Sequence, residues 1–242
     1  MSKSIPWQIA TVTEIKEETP RTKTIVLDLP DWTPHLPGQH YNLRLTAEDG
    51  YQAMRSYSIA NGITAAGRIE LTIDRVPDGE VSEFIHDVLE EGDRLEVRGP
   101  IGGYFVWKPR ISKPLFLIGA GSGIVPLMSI LRSQTGQQRV MLLYSTQSPE
   151  LTIYQKELDQ LAQEPWFDLY YTYTRAQPAH WTGLARRVDQ DMIRDLYHQD
   201  ILRNCLAYVC GPTAFVEFVA HTLNTEGLPT AYIRTERFGP GS

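Results

Sequence analysis

The feature that most constrains this chain is a change of pattern near its middle. Up to about residue 107, short strand-like runs alternate with turn residues: Gln8 to Glu14, Lys23 to Leu29, His40 to Leu45, Met54 to Ala60, Arg68 to Val76 and Asp93 to Arg98. Regular strands separated by Gly, Pro and Asp predict a small antiparallel β-barrel. One helix interrupts it from about Val81 to Glu90, where Phe84, Ile85, Val88 and Leu89 recur at helical spacing. Then comes Trp107-Lys108-Pro109-Arg110-Ile111-Ser112-Lys113-Pro114, whose two prolines and four polar or charged residues cannot continue a central strand. Beyond it, apolar strands alternate with helices. The strands are Leu115 to Ile118, Val140 to Tyr144, Phe167 to Thr174, Leu206 to Cys210 and a last one through Ile233. Helices are expected at Leu127 to Arg132, Ile153 to Gln163, Asp189 to His198 and Thr213 to Glu226. This order predicts an α/β doubly wound parallel sheet. Residues 1–109 are therefore expected to form a barrel domain and residues 110–242 an α/β domain.

Composition excludes several function classes. A net charge of −6 and a pI near 5.5 disfavour broad nucleic-acid binding, which needs many Lys and Arg on phosphates. The N-terminus lacks an apolar signal region, and no apolar run approaches the ~20 residues of a membrane span. A cytoplasmic protein is expected. The two cysteines, Cys205 and Cys210, fit neither a disulfide framework nor a four-thiolate iron-sulfur site.

In the first half, Met54-Arg55-Ser56-Tyr57-Ser58-Ile59-Ala60 places R-x-Y-S at the end of a strand, where alternation puts Arg55 and Tyr57 on one face. A guanidinium offers a fork of donors to a pyrophosphate, and a tyrosine ring offers a flat surface to an isoalloxazine. By itself the tetrapeptide is equally an edge strand with a solvated arginine. Pro37-Gly38-Gln39-His40 lies upstream, and Gly79-Glu80-Val81-Ser82 opens the predicted helix downstream. N–H groups at a helix N-terminus suit an anion, although this stretch alone also reads as a turn with a cap.

Together these pieces resemble the ferredoxin-NADP(+) reductase family, in which an R-x-Y-S strand and a later G-x-x-S turn hold FAD. The resemblance implies that Arg55 and Ser82, with Ser56, Gly79 and Val81 beside them, bind FAD. It further implies that Tyr57 stacks on the flavin and that Ser58 approaches N5.

In the second half, strand Leu115 to Ile118 runs into Gly119-Ala120-Gly121-Ser122-Gly123-Ile124-Val125-Pro126. Glycines admit a phosphate close to the backbone, and the following helix dipole favours its charge; tight packing alone would also produce such a turn. The G-x-G-x-G-x-x-P pattern of Gly119, Gly121, Gly123 and Pro126 is similar to the nicotinamide domain of the same family. So is Cys210-Gly211-Pro212 at a strand end, where the resemblance puts Cys210 beside the hydride-donating carbon rather than as a nucleophile. The acid that commonly clamps the NAD ribose is missing where Tyr144-Ser145-Thr146 ends the second strand. Thr174-Arg175, with Arg187, resemble the pairs that hold the 2′-phosphate of NADP. NADP is expected, with NAD possible, and Arg186-Arg187 also reads as a solvated helix start.

The Glu236-Arg237-Phe238-Gly239 ending resembles those of bacterial oxygenase-reductase modules. That likeness implies Phe238 covering the flavin face opposite Tyr57 and Glu236 hydrogen-bonding near the hydride path; a tail without a role is the alternative. The implied activity is transfer of hydride from NADPH or NADH to bound FAD, then of electrons to a separate redox-protein acceptor such as ferredoxin, flavodoxin or an oxygenase component. A flavin reductase using diffusing flavin, or a non-enzymatic electron-transfer subunit, remain alternatives. Arg94 and Arg98, or Lys108, Arg110 and Lys113, are candidate docking cations or merely solvated surface.

Overall fold

The computed structural model describes residues 5–63, 67–109 and 112–239. It divides into two compact units, one comprising residues up to Trp107 with Met128–Ser133, the other Lys108–Leu127 and Gln134 onward.

The first unit is a six-stranded antiparallel sheet of β1 (Gln8–Thr19), β2 (Thr22–Asp28), β3 (His40–Thr46), β4 (Gln52–Ser58), β5 (Arg68–Asp74) and β6 (Arg94–Ile101), ordered β4-β3-β6-β1-β2-β5. An Ile59↔Leu71 bridge, with Ala60 N–H donating to Glu70 O at 2.8 Å, brings the two edges together into a barrel. Closure hides the edges that an open sheet would leave. Alternation aims Ile25, Leu27, Leu43, Ile69, Leu71, Ile73 and Val97 into one core. Helix α1 (Glu80–Asp87) packs Val81 and Ile85 against it. The helix starts one residue earlier and ends three earlier than its apolar pattern predicts, because Val88 has left helical geometry and is exposed.

The second unit is a parallel sheet of β7 (Leu115–Ala120), β8 (Val140–Thr146), β9 (Phe167–Tyr173), β10 (Leu206–Pro212) and β11 (Ile233–Phe238), ordered β11-β10-β7-β8-β9. Its helices are α3 (Gln155–Leu161), α4 (Gln190–Tyr197) and α5 (Thr213–Thr225), together with the first turn of α2 (Ile124–Arg132), which ends in the first unit. Phe116, Ile118, Met141, Leu143 and Val209 on one sheet face meet Met192, Ile193 and Leu196 of α4 and Val216, Val219 and Leu223 of α5. The strands read as unbroken apolar runs because both faces are covered, with Leu117 and Leu142 on the other face equally buried. Asp189 caps α4 by accepting from Met192 N–H at 2.8 Å.

The ending is the main departure from the sequence expectation. Arg234-Thr235-Glu236-Arg237-Phe238 continues the strand begun at Ile233 and pairs with β10 from Ala207↔Ile233 to Pro212↔Phe238. Its charges suit an edge strand, where one side faces solvent.

Candidate functional site

The flavin-side candidates sit on the β4 edge and the start of α1. Arg55 pairs across the ladder with Leu43 and Tyr57 with Tyr41, so both leave β4 on the same face, as alternation requires. Arg55 is exposed, its Nη1 donates to Met54 O at 2.7 Å, and among the described residues it pairs with no carboxylate. Tyr57 is half-buried; burial pushes its hydroxyl up to about 12, a shift moderated by the Arg55 charge. Ser56 donates to Asn42 Oδ1 at 2.8 Å on the opposite face, and Ser58 is buried at the strand end.

At α1 the first helical bond runs from Glu83 N–H to Gly79 O, so the N–H groups of Glu80, Val81 and Ser82 precede the helical ladder. Both acids of this first turn are engaged: Glu80 takes the Tyr51 hydroxyl at 3.0 Å, and Glu83 takes Asp78 N–H at 3.2 Å. The Ser82 side chain departs from the role its motif implies. Its Oγ turns back into the loop, accepting from Val76 N–H at 3.2 Å and lying 3.0 Å from Gly79 O as donor. The hydroxyl shapes the turn, and the backbone amides are what it leaves for a ligand.

Sequence reading also missed the partner of Pro37-Gly38-Gln39-His40. The loop after β6 folds onto it, with Trp107 N–H donating to Pro37 O at 3.0 Å and Gln39 Nε2 to Gly102 O at 2.9 Å.

The nucleotide-side candidates gather at the C-terminal ends of the parallel strands. Register places Glu236, Cys210, Gly119, Tyr144 and Tyr171 in one row across all five strands. Beyond this row β7 opens into a 3-10 turn, Gly121–Gly123, leading into α2. Gly123 is obligatory, because a Cβ there would lie 2.2 Å from Cys210 O. The missing side chain lets the turn press directly onto the Cys210-Gly211-Pro212 strand end. Pro126 falls in the first turn of α2, where its absent N–H costs no helical bond.

Cys210 is fully buried, and burial, with the neighbouring Glu236 charge, pushes its thiol well above the ordinary range. It is a neutral thiol at physiological pH. Glu236 is half-buried as a residue, yet its Oε2 is sealed and has no hydrogen-bond partner among the described residues. Burial raises its carboxyl to about 7. An orphaned acid beside a close-packed glycine turn fits a ligand that brings its own polar groups. Phe238 ends β11, half-buried and opposite Pro212.

Of the candidate phosphate readers, Thr174 donates to Thr146 O at 3.3 Å, tying β9 to β8. Arg175 is exposed, while its N–H and that of Ala176 both donate to Gln147 O. Arg186 pairs with the capping Asp189 at 2.5 Å, whereas Arg187 is exposed and has no ion pair among the described residues. The docking cations are partly committed: Arg98 lies over the Trp7 ring at 4.8 Å, and Lys113 donates to Asn204 O and lies over Tyr232. Arg110 falls outside the described residues.

Comparison with known proteins finds two family matches. Residues 9–106 match the oxidoreductase FAD-binding domain, and residues 117–221 match the oxidoreductase NAD-binding domain. Together the two matches identify the chain as an FAD- and NAD-binding oxidoreductase, and its fold is that of the ferredoxin-NADP(+) reductases. It is 33% identical over 225 residues to the glycine betaine monooxygenase reductase subunit of Pseudomonas aeruginosa, covering 91% of this chain and 60% of the relative. It is 32% identical over 241 residues to the ferredoxin reductase component of the 3-ketosteroid-9-alpha-monooxygenase of Rhodococcus rhodochrous, covering 95% and 64%. The chain thus spans about three fifths of the length of these relatives. In fold it matches a ferredoxin NADP+ reductase from Neisseria gonorrhoeae with bound FAD and NADP, at a TM-score of 0.80 and 22% identity, covering 96% of this chain and 98% of that one. No helix among the described residues is long and apolar enough to cross a membrane.

Proposed function

We propose that this chain takes hydride from NADPH, or less readily NADH, onto bound FAD and delivers the electrons to a separate protein acceptor such as a ferredoxin, a flavodoxin or an oxygenase component. The observation that carries the reading is the row Glu236-Cys210-Gly119 beside the Gly121–Gly123 turn, in a chain whose other unit is an FAD-binding domain. Bound flavin supplies the step from a two-electron donor to one-electron acceptors.

The residues bind and orient. Arg55 and the amides of Val81 and Ser82 take the FAD pyrophosphate, and Tyr57 offers its ring to the isoalloxazine with Ser58 at the strand end. Gly119, Gly121 and Gly123 let a dinucleotide phosphate reach the backbone, and Arg175 with Arg187 and Thr174 hold the 2′-phosphate. Cys210 gives the nicotinamide a neutral, polarisable neighbour, and Glu236 offers a protonated carboxyl as hydrogen-bond donor below about pH 7. Residues 1–109 serve the flavin and 110–242 the nucleotide. The oxygenase-reductase relatives favour an oxygenase component as the acceptor.

Purified protein should be yellow, and its flavin absorbance should bleach when NADPH is added anaerobically. A colourless protein that turns over added flavin would reassign it as a flavin reductase. A yellow protein that neither NADPH nor NADH bleaches would end the reading.

A further inference from the structure

We infer that Tyr144, which no family motif singles out, is the positioning residue that aims a backbone amide of the glycine turn at the dinucleotide's phosphates. The inference rests on the reading of that turn as the nucleotide site.

Tyr144 is wholly buried in the central row, one strand from Gly119. Its hydroxyl reaches past the strand end and donates to Gly121 O at 3.1 Å, while accepting from Ile153 N–H at 3.4 Å. Gly121 O also accepts from Ile124 N–H. Two donors thus hold one carbonyl toward the interior. A trans peptide is planar, with C=O and N–H on opposite sides. Drawing Gly121 C=O inward therefore turns the N–H of half-exposed Ser122 outward.

The two ends of the turn are fixed differently. At Gly123 the Cys210 backbone blocks any inward movement. At Gly121, φ is +55°, and a Cβ there would meet nothing within 4 Å, so packing does not fix that end. The Tyr144 hydroxyl supplies what packing lacks. Because it also holds Ile153 N–H, it ties the segment after β8 to the same carbonyl. Without the hydroxyl, this carbonyl keeps only Ile124 N–H, a donor it shares with Ser122 O, so the peptide plane is held more loosely and the Ser122 amide is less firmly directed. An anion must then pay for ordering it, which weakens binding without touching the reacting groups.

The test is Tyr144→Phe, which keeps the ring and removes the hydroxyl, compared with the parent protein for NADPH kinetics, NADP+ titration and FAD content. We expect KM for NADPH and Kd for NADP+ to rise about five- to tenfold, with saturated kcat within twofold and FAD content unchanged. Unchanged KM and Kd would overturn the inference, and so would a joint loss of kcat and FAD, which marks a merely structural role. Should the Phe variant not fold, 3-fluorotyrosine at position 144 keeps the hydroxyl but alters its hydrogen-bond strength. A nucleotide KM that moves while kcat and FAD content stay put supports the inference, and an unmoved KM overturns it. A parent protein that neither binds NADP+ nor oxidises NADPH would instead refute the functional reading beneath it.

Discussion

Glu236→Gln isolates the titration of one sealed carboxyl. In the folded chain burial raises this group from 4.5 to about 7. In the unfolded chain it titrates near its ordinary value. Between these two values the unfolded state binds fewer protons than the folded state, so stability falls as pH rises through the window. The contribution is fully present below about pH 4.5 and lost above about pH 7. At about 1.4 kcal/mol per unit, a displacement of this size corresponds to roughly 3–4 kcal/mol at most, of which a series starting at pH 4.5 samples about 3. Glutamine cannot ionise, so the variant lacks this slope whatever constant offset the amide introduces. Urea unfolding of both proteins at pH 4.5, 6, 7 and 8 should show the variant gaining on the parent by up to about 3 kcal/mol across the series. A carbon-13 titration of the glutamate carboxyls, with the variant assigning the resonance, should find a midpoint near 7. A parallel pair of stability curves with a midpoint near 4.5 would refute the argument that Oε2 is sealed and unpartnered.

Arg175→Ala should lower kcat/KM for NADPH at least ~tenfold, about 1.4 kcal/mol, and leave NADH little changed; equal losses for both would show that Arg175 does not read the 2′-phosphate. Gly123→Ala should push the turn off Cys210 O and raise KM for both nucleotides ~tenfold or more, since such overpacking costs roughly 1–3 kcal/mol, with FAD content as in the parent. Parent-like kinetics would show that the contact yields. Ser82→Ala removes the hydroxyl that braces the turn before α1, and at about 1 kcal/mol per buried hydrogen bond it should weaken FAD binding about fivefold in a flavin fluorescence titration. An unchanged FAD Kd would separate the brace from the amides it supports.

Much of this molecule is legible in its sequence, for identifiable reasons. Barrel strands announce themselves because one face is core and the other solvent, and the parallel strands because both faces are buried. The glycine turn is legible because only glycine at Gly123 permits the approach to Cys210 O. What escaped depends on long-range pairing. Arg234 to Phe238 carries the charges of a solvated tail, and only the neighbouring β10 makes it a strand. Ser82 sits at its motif position, but the direction of its hydroxyl follows from the φ/ψ path of Val76 to Gly79, which no residue spacing encodes. Tyr144 reads as the last apolar residue of a core strand, and its hydroxyl acquires a use only when β7 places Gly121 within reach. Arg186 and Arg187 look alike as neighbours, yet the Asp189 cap takes one and leaves the other.

The central claim, that hydride passes from a nicotinamide dinucleotide to FAD held on this chain, is tested most directly by anaerobic single-turnover bleaching of the protein-bound flavin. NADPH deuterated at either face of C4 supplies the two arms. Bleaching should be slowed by deuterium on one face only, because a nicotinamide held in one orientation presents one hydrogen to the flavin. Bound flavin that stays oxidised with either donor would contradict the account.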